Sequence, residues 1–506
     1  MRTKNSIINT FSNIFFNLLI GVLGFIKVKV FVNGLSTDIY SLNQLFYQIF
    51  SYIAITELGI GYVINKNLYD AFAKNDKKKI NDIYSTSKKF YSLVGIIMFA
   101  IALIISFFVK YLTKVDISIL YLQIVFIVFI IRNIIDYFFV APRYIIEADQ
   151  KYYKINYLVK SIKILEIIIE IALVLLGVDY FFILLPGIFI TIIIDIYINK
   201  KIYKQYKWLK DTKSFNKQHL KGTKDVVWRY LASLLNSNTD IILISTFINP
   251  VAVIVYTSYT YITSFIKDTI NIVSSAITPS YANLILKEQD KSSNTFDEIN
   301  IVFLFIAVFV CSMLYGFLTN LIGFWVGLEF TTSNIILFLF CFSLFQIISE
   351  KAVIVTINSV GLFKETKIPT IIEAICNFII SIVLIRKFGI LGVLLGTIIS
   401  KFITIIYNPL CIKKYVNKKN MKTYYFQYLI NVIIFTVLVF AFNFCKLNIE
   451  SVFQWILYVI IFAILILVFM FVVYYVFFNS FRLVIKRLKE YVLVFFRSRK
   501  KVVWKR

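Results

Sequence analysis

From Ser451 to Phe478 the chain reads SVFQWILYVIIFAILILVFMFVVYYVFF, an apolar stretch without a single charged residue. An α-helix needs about 20 such residues to cross the ~30 Å hydrocarbon core of a bilayer. Water cannot satisfy backbone N–H and C=O groups in that core, so the chain must form helices or a closed barrel. The stretch lacks the alternation of apolar and polar residues that is typical of barrel strands. It therefore predicts a membrane-spanning helix.

Apolar stretches of this kind recur along the whole chain. Hydrophobic residues make up 59% of the 506 residues, whereas water-soluble domains use roughly 45–50%. The pattern predicts an all-α, polytopic membrane protein with about fourteen transmembrane helices. We number these spans one to fourteen, near residues 7–31, 39–65, 89–109, 117–141, 155–177, 180–199, 226–248, 251–283, 299–324, 333–358, 368–386, 389–412, 424–445 and 451–478.

Basic residues lie mainly on one side of these spans. The net charge of +27 would suggest nucleic-acid binding in a soluble protein. Here most Lys and Arg fall in segments on the same side as the N-terminus. The opposite side holds only Lys110, Lys114, Arg386, Lys387 and Lys446. This asymmetry follows the positive-inside rule, so we expect both termini in the cytoplasm and no nucleic-acid partner.

A weak internal repeat organises the spans. Spans five and six, and spans eleven and twelve, each follow a basic segment and precede a lysine cluster. Two halves of six spans would share one orientation, as in transporters with parallel repeats. The predicted organisation is an N-lobe of spans one to six (1–205), a basic cytoplasmic linker (206–225), a C-lobe of spans seven to twelve (226–415), spans thirteen and fourteen (416–478) and a basic cytoplasmic tail (479–506). The tail pattern fits an amphipathic helix on the inner leaflet or a disordered segment.

Residues for enzymatic chemistry are scarce. His219 is the only histidine and lies in a basic loop, which argues against a zinc site or a histidine-dependent hydrolase. The five cysteines show neither pairing nor metal-ligand spacing. No P-loop and no dinucleotide fingerprint occurs. We expect a protein that is not an enzyme, with no metal site and no cofactor.

Span five carries the most distinctive charges. Lys160, Lys163, Glu166 and Glu170 recur at intervals of three, three and four residues, so they share one face of a helix. An ionisable side chain at a lipid-facing centre costs roughly 2.5–3.5 kcal/mol or more, so this face is expected to avoid lipid. It fits either the wall of a water-filled cavity or a buried ion-pair seam between helices.

Other ionisable residues lie within predicted spans. Lys27, Lys267 and Lys401 are deep enough that a water-filled cavity could receive their ammonium groups, and cations at this depth suit a phosphate-bearing substrate. We predict substrate binding, through a diphosphate, by Lys27, Lys160, Lys163, Lys267 and Lys401. The predicted acidic residues for the cavity or for coupling are Glu166, Glu170 and Asp240.

Four segments resemble a known family at its usual spacing. They read YSLNQLFYQIFSYIAITELGIGY from Tyr40, YFFVAPRYIIEADQKYY from Tyr137, NSNTDIILISTF from Asn236, and GLFKETKIPTIIEAICNFIISIVLIRKFGILGVLLGTIIS from Gly361. They are similar to motifs of Wzx-type polysaccharide repeat-unit flippases. That group is the polysaccharide transporter family of the multidrug/oligosaccharidyl-lipid/polysaccharide (MOP) exporter superfamily. The resemblance covers about residues 5–430.

The resemblance implies two six-helix lobes around a central cavity, two extra C-terminal spans and alternating access without ATP hydrolysis. It also implies a cargo: an undecaprenyl-diphosphate-linked oligosaccharide for O-antigen, capsule or a related polysaccharide. This lipid-linked oligosaccharide would cross the bacterial cytoplasmic membrane. Expected partners are membrane lipids, a polysaccharide polymerase and glycosyltransferases. Two alternatives stay open, a lipid II flippase and a MATE-like cation-coupled drug exporter.

Overall fold

A computed structural model describes residues 2–57, 60–220, 239–416, 421–445 and 447–490. The chain divides into two compact units, residues 1–254 and 255–506. Within the described residues, the regular secondary structure is entirely helical. The lobe, linker and tail boundaries drawn from the sequence stay predictions.

The first unit is built from eight labelled helices and a further helical segment, residues 239–247. The helices are α1 Arg2–Gly34, α2 Thr37–Ile53, α3 Ile60–Ala73, α4 Lys77–Ser106, α5 Ile119–Ile134, α6 Ala141–Ala148, α7 Tyr153–Leu175 and α8 Tyr180–Gln205. Several begin after a polar residue whose side chain accepts an otherwise unsatisfied backbone N–H near the helix start. These capping residues are Ser36, Asp76, Ser118 and Asp179.

Longer helices dominate the rest of the chain. They are α9 Pro250–Lys287, α10 Gln289–Trp325, α11 Asn334–Ser349, α12 Lys351–Val360, α13 Lys367–Phe388, α14 Ile390–Ile412, α15 Lys422–Phe444 and α16 Val452–Phe477. Gly361, with a φ of 72°, ends α12 in the left-handed conformation that glycine adopts without strain. Residues 479–490 are also helical, and Arg487 in this segment lies 3.0 Å from Glu298 of α10. The tail beyond residue 490 lies outside the described residues.

Ten helices among the described residues are long and apolar enough to cross a membrane. They correspond to ten of the fourteen predicted spans, and the other four differ for identifiable reasons. Span two is interrupted between α2 and α3, and most of span seven lies outside the described residues. Span five (α7) carries four charged residues, and span eight (α9) is rich in hydroxyl side chains. The prediction of an all-α, polytopic architecture is confirmed.

Two helix interruptions in the first unit are linked by hydrogen bonds to one carboxylate, that of Glu57. Span two changes to a 3-10 turn at Ala54–Glu57, and span four does so at Ile135–Phe138. The two carboxylate oxygens of Glu57 accept hydrogen bonds from Tyr91 and Tyr137, each at 3.1 Å. Tyr91 belongs to α4, so one carboxylate joins both interruptions to this helix.

The predicted linker is ordered over residues 206–220, the part that the structure describes. It lies along the first turns of α4, where the backbone N–H of Thr212 donates to Ser85 Oγ at 2.8 Å. Lys88 of α4 also forms a 2.9 Å ion pair with Asp211. Residues 206–220 are therefore packed against α4 within the first unit, and we call this stretch the strap.

Candidate functional site

The charged face of α7 splits into a buried half and a partly exposed half. Glu166 and Glu170 are buried, whereas the side chain of Lys163 is 44% exposed and Lys160 is half-buried. Lys160 donates to Asn17 Oδ1 of α1 at 2.9 Å, a neutral partner. The glutamates thus belong to an ion-pair seam, while the two lysines remain accessible at its edge.

Glu170 is held by cations from two other helices. Its Oε2 atom accepts a 2.5 Å hydrogen bond from the ammonium group of Lys27 on α1. Its Oε1 atom pairs with the guanidinium of Arg132 on α5. Because buried carboxylates are stable only when paired and hydrogen-bonded, this double contact explains how Glu170 is accommodated between helices.

Glu166, one turn earlier on α7, shares the same guanidinium. Arg132 Nη2 lies 3.0 Å from Glu166 Oε2, and Thr191 of α8 donates to Glu166 Oε1 at 3.4 Å. Lys163 Nζ lies 3.6 Å from Glu166 Oε2, which is too long for a hydrogen bond. Arg132 is therefore the central cation of the cluster.

Arg132 is absent from the substrate-binding residues that the sequence predicts. Its position within span four marks it as an ionisable residue in the membrane, but no spacing within one helix relates it to α7. Three of the predicted residues, Lys27, Glu166 and Glu170, meet around it, and Lys163 lies at the edge. Their role in binding a substrate stays a prediction.

A second charged cluster lies in the second unit. Lys401 of α14 lies 2.6 Å from Glu350, between α11 and α12, and 3.7 Å from Glu373 of α13. Each carboxylate also accepts a neutral hydrogen bond, Glu350 from Asn408 at 2.7 Å and Glu373 from Thr404 at 2.6 Å. The sequence analysis singles out neither glutamate as a site residue. Lys401 is thus a paired cation shared by two carboxylates.

Lys267 and Asp240 are the remaining predicted site residues, and they belong to the second and the first unit, respectively. Lys267, on α9, is half-buried and has no ion pair or hydrogen bond within the described part of the chain; it interacts electrostatically with its neighbour Asp268 and with Lys401. Asp240 is buried in the helical segment 239–247. Its neighbour Thr239 shares a 2.6 Å hydrogen bond with Tyr52 of α2.

The two clusters differ in their balance of charge. With all groups ionised, the first has one cation more than carboxylates. The second has equal numbers when Lys351, Lys267 and Asp268, which interact electrostatically around Lys401, are counted with Lys401, Glu350 and Glu373. Neither resembles a metal centre, since the described residues contain no group of three or more His, Cys, Asp or Glu that could hold a metal ion. The first cluster is suited to an anionic ligand.

Comparison with known proteins finds similar folds among solved structures, but no similar sequence. No family profile matches the chain, and no curated protein matches its sequence. The structure of the lipid II flippase MurJ in an inward closed conformation is similar over 94% of this chain and 99% of that chain, with a TM-score of 0.67 and 17% identity.

Two multidrug transporters are also similar. An inward-facing MATE family transporter of the MOP superfamily matches over 79% of this chain and 96% of its own, with a TM-score of 0.53 and 15% identity. A mutant Vibrio cholerae MATE transporter matches over 84% and 97%, with a TM-score of 0.55 and 12% identity. These neighbours are transporters and flippases, and the ten apolar helices indicate a multi-pass membrane protein. The chain has the fold that lipid II flippase and MATE transporter structures share.

Proposed function

We propose that this protein is a flippase that moves a polyprenyl-diphosphate-linked oligosaccharide across the bacterial cytoplasmic membrane by alternating access. The cargo would be a repeat unit of O-antigen, capsule or a related polysaccharide. The fold likeness supports a flippase or transporter, and the motif resemblance described above supports the Wzx-type cargo.

The partly exposed side chains of Lys160 and Lys163 carry the proposal. Both lie on α7, which corresponds to predicted span five, and neither is within hydrogen-bond distance of a carboxylate of the residues that the structure describes. A cation at this depth is costly against lipid and is expected to face a polar passage. Lysine donates charge-assisted hydrogen bonds to phosphate oxygens, so these two groups suit the diphosphate of a lipid-linked sugar.

Lipid II translocation is a second candidate function. The structural similarity to MurJ extends over nearly the full length of both chains, and the same lysines could meet a diphosphate there. The two cargoes are distinguished by deletion of the gene. Loss of a lipid II flippase is lethal, whereas loss of a repeat-unit flippase leaves viable cells without the surface polymer.

Drug export is a third candidate, supported by the fold of the two MATE transporters. A cation-coupled drug exporter is expected to present acidic rather than lysine-rich groups to its substrate. Drug-susceptibility profiling of the deletion strain separates this function from the other two, because only loss of a drug exporter would sensitise the cells.

Reconstituted protein tests the proposal directly. Proteoliposomes that carry a short polyprenyl-diphosphate-linked oligosaccharide should move it to the opposite leaflet, where an added glycosidase cleaves it. The double variant Lys160→Ala/Lys163→Ala should lose this transfer. Its matched control is Lys74→Ala/Lys78→Ala, which removes two exposed lysines of the same unit. Undiminished transfer by the α7 variant at equal protein level would contradict the assignment.

The remaining parts of the proposal concern cellular context. Both termini would lie in the cytoplasm, and the protein would work beside a polysaccharide polymerase and glycosyltransferases in a bilayer of anionic lipids. Reporter fusions at each terminus test the orientation, and a periplasmic signal from either fusion would contradict it.

A further inference from the structure

The cluster around Arg132 holds one more cation than carboxylates. Among the described residues, Lys27, Arg132 and Lys163 form their ion pairs with Glu166 and Glu170, and the side chain of Tyr47 also interacts electrostatically with the three cations. The side chains of Arg132, Glu166 and Glu170 are each less than 10% exposed. An unbalanced charge in such a place is costly, so the location of the surplus positive charge matters for function.

Distances assign the surplus to Lys163. Glu170 is saturated by Lys27 on one oxygen and by Arg132 on the other. Glu166 takes its charge-assisted hydrogen bond from Arg132, at 3.0 Å, and leaves Lys163 at 3.6 Å. Lys163 is also the most exposed of the three cations, with 44% of its side chain accessible against 4% for Arg132.

Helix α8 fixes the guanidinium from a third side. A Cβ atom on Gly187 would approach Cδ and Cζ of Arg132 to 3.0 and 3.1 Å, closer than van der Waals contact allows. The absence of a side chain at this position lets α8 lie against the guanidinium. Thr191, one turn later on α8, donates to Glu166. Arg132 is thus packed so that it can serve both glutamates at once.

We propose that Arg132 is a positioning residue that occupies Glu166 and Glu170 and thereby keeps the ammonium group of Lys163 available for an anionic phosphate ligand. Without Arg132, the 3.6 Å ion pair between Lys163 and Glu166 would shorten to a direct hydrogen bond, because the two residues lie one turn apart on α7. The ligand class rests on the proposed function, but the arrangement of charges does not. Arg132 itself makes no contact with the ligand.

Variants of equal net charge separate this role from a general electrostatic effect. Arg132→Gln and Lys163→Gln each remove the surplus charge, and each should weaken binding of inorganic pyrophosphate about tenfold or more, the loss of one charge-assisted contact. Adding Glu166→Gln restores the surplus in both backgrounds. Arg132→Gln/Glu166→Gln should then recover binding, because Lys163 is released. Lys163→Gln/Glu166→Gln should not recover it.

The measurement is pyrophosphate titration of the purified full-length protein by calorimetry at low ionic strength, with thermal unfolding of each variant recorded in parallel. If Arg132→Gln does not fold, Lys163→Gln/Glu166→Gln keeps the test decisive, because it has the wild-type surplus of charge and recovered binding there would overturn the proposal. Equal binding by the two double variants would overturn the proposal, and so would failure of the wild type to bind.

Flipping assays keep this result separate from the proposed cargo. If the binding pattern holds but proteoliposomes do not transfer the lipid-linked oligosaccharide, the role of Arg132 stands and the cargo assignment fails. If transfer occurs but Arg132→Gln/Glu166→Gln binds pyrophosphate no better than Arg132→Gln, the cargo assignment stands and the role of Arg132 fails.

Discussion

Lys401 and Glu350 form a 2.6 Å ion pair in the second unit, and the side chain of Glu350 is only 2% exposed. Among the described residues, the direct partners of this carboxylate are the Lys401 ammonium group and the amide of Asn408, and the adjacent Lys351 adds an electrostatic attraction. Lys267, by contrast, has no ion pair among the described residues. The sequence predicts that both lysines bind the diphosphate of a substrate. In the structure, only Lys401 has a carboxylate as an ion-pair partner among the described residues.

Removal of the ammonium group should therefore affect stability very differently at the two positions. Lys401→Met leaves a buried carboxylate uncompensated and should lower the free energy of unfolding by about 3–5 kcal/mol. Lys267→Met should change it by less than about 1 kcal/mol. Thermal unfolding in detergent measures both. Partial recovery in Lys401→Met/Glu350→Gln is expected, and equal losses at positions 401 and 267 would contradict the ion-pair argument.

Gly187→Ala should destabilise the first unit by about 1–3 kcal/mol, the usual cost of overpacking. The added methyl group would press on the guanidinium of Arg132, which is locked by its ion pairs and cannot easily retreat. The check is a double-mutant cycle, because the cost should shrink in an Arg132→Met background, where a flexible thioether replaces the guanidinium. Strict additivity would show that the methyl group meets something else.

Glu57→Ala should loosen both helix interruptions of the first unit at once. The variant removes both carboxylate oxygens, so Tyr91 and Tyr137 each lose their hydrogen bond to Glu57, and Tyr91 keeps the 2.6 Å bond to Tyr144. The expected cost is about 1–3 kcal/mol. Hydrogen exchange should rise in peptides that contain residues 54–57 and in those that contain 135–138. Tyr121→Phe is the matched control, since it breaks a similar 2.9 Å bond to Asp179 elsewhere. A rise confined to one interruption would contradict the link.

Acid should weaken the strap along α4. Burial raises the pKa of Asp211, but the hydrogen bonds from Lys88, from the backbone N–H of Lys213 and from Ser85, together with the charge of Lys88, outweigh it, and the pKa of Asp211 lies below its ordinary value of 3.8. A carboxylate with a depressed pKa stabilises the folded state above its unfolded pKa, and this contribution disappears as the pH falls through the folded value. The pair is largely exposed, so it is worth at most about 1 kcal/mol.

The measurable consequence is a pH-dependent difference between the wild type and Asp211→Asn. Native-state hydrogen exchange of residues 209–216, corrected for the chemical rate, should be faster in the variant at pH 7. The two proteins should converge once the pH falls below the lowered pKa of Asp211, where both side chains are neutral. A difference that persists at low pH would show that the carboxylate charge is not responsible.

The sequence was most informative where one helix is sufficient to decide the outcome. Spacing along span five places Lys160, Lys163, Glu166 and Glu170 on one face, and the structure has all four on α7. The same spacing could not distinguish a cavity wall from an ion-pair seam, because that depends on the neighbouring helices. In the structure, the two possibilities apply to different parts of this face. Glu166 and Glu170 lie in a buried ion-pair seam, whereas Lys160 and Lys163 lie at its accessible edge.

Partners from other helices were beyond prediction. Arg132 pairs with Glu166 and Glu170, which lie 34 and 38 positions later in the chain. Glu373 on α13 pairs with Lys401 on the next helix, α14. Helix periodicity relates residues three or four apart and carries no information about which face of a distant helix will pack there. Gly187 could not be singled out for the same reason, since its significance is the space that it leaves for Arg132.

By itself, the sequence determined that this chain crosses a membrane many times as helices. Long apolar stretches without strand-type alternation must pair their backbone N–H and C=O groups within the helix when they lie in lipid. It also determined which charges must be sheltered from lipid. Only the tertiary structure decided which of those charges neutralise one another and which remain available. Electrostatic pairing depends on distances of a few ångströms between helices that are remote in sequence, and packing alone sets those distances.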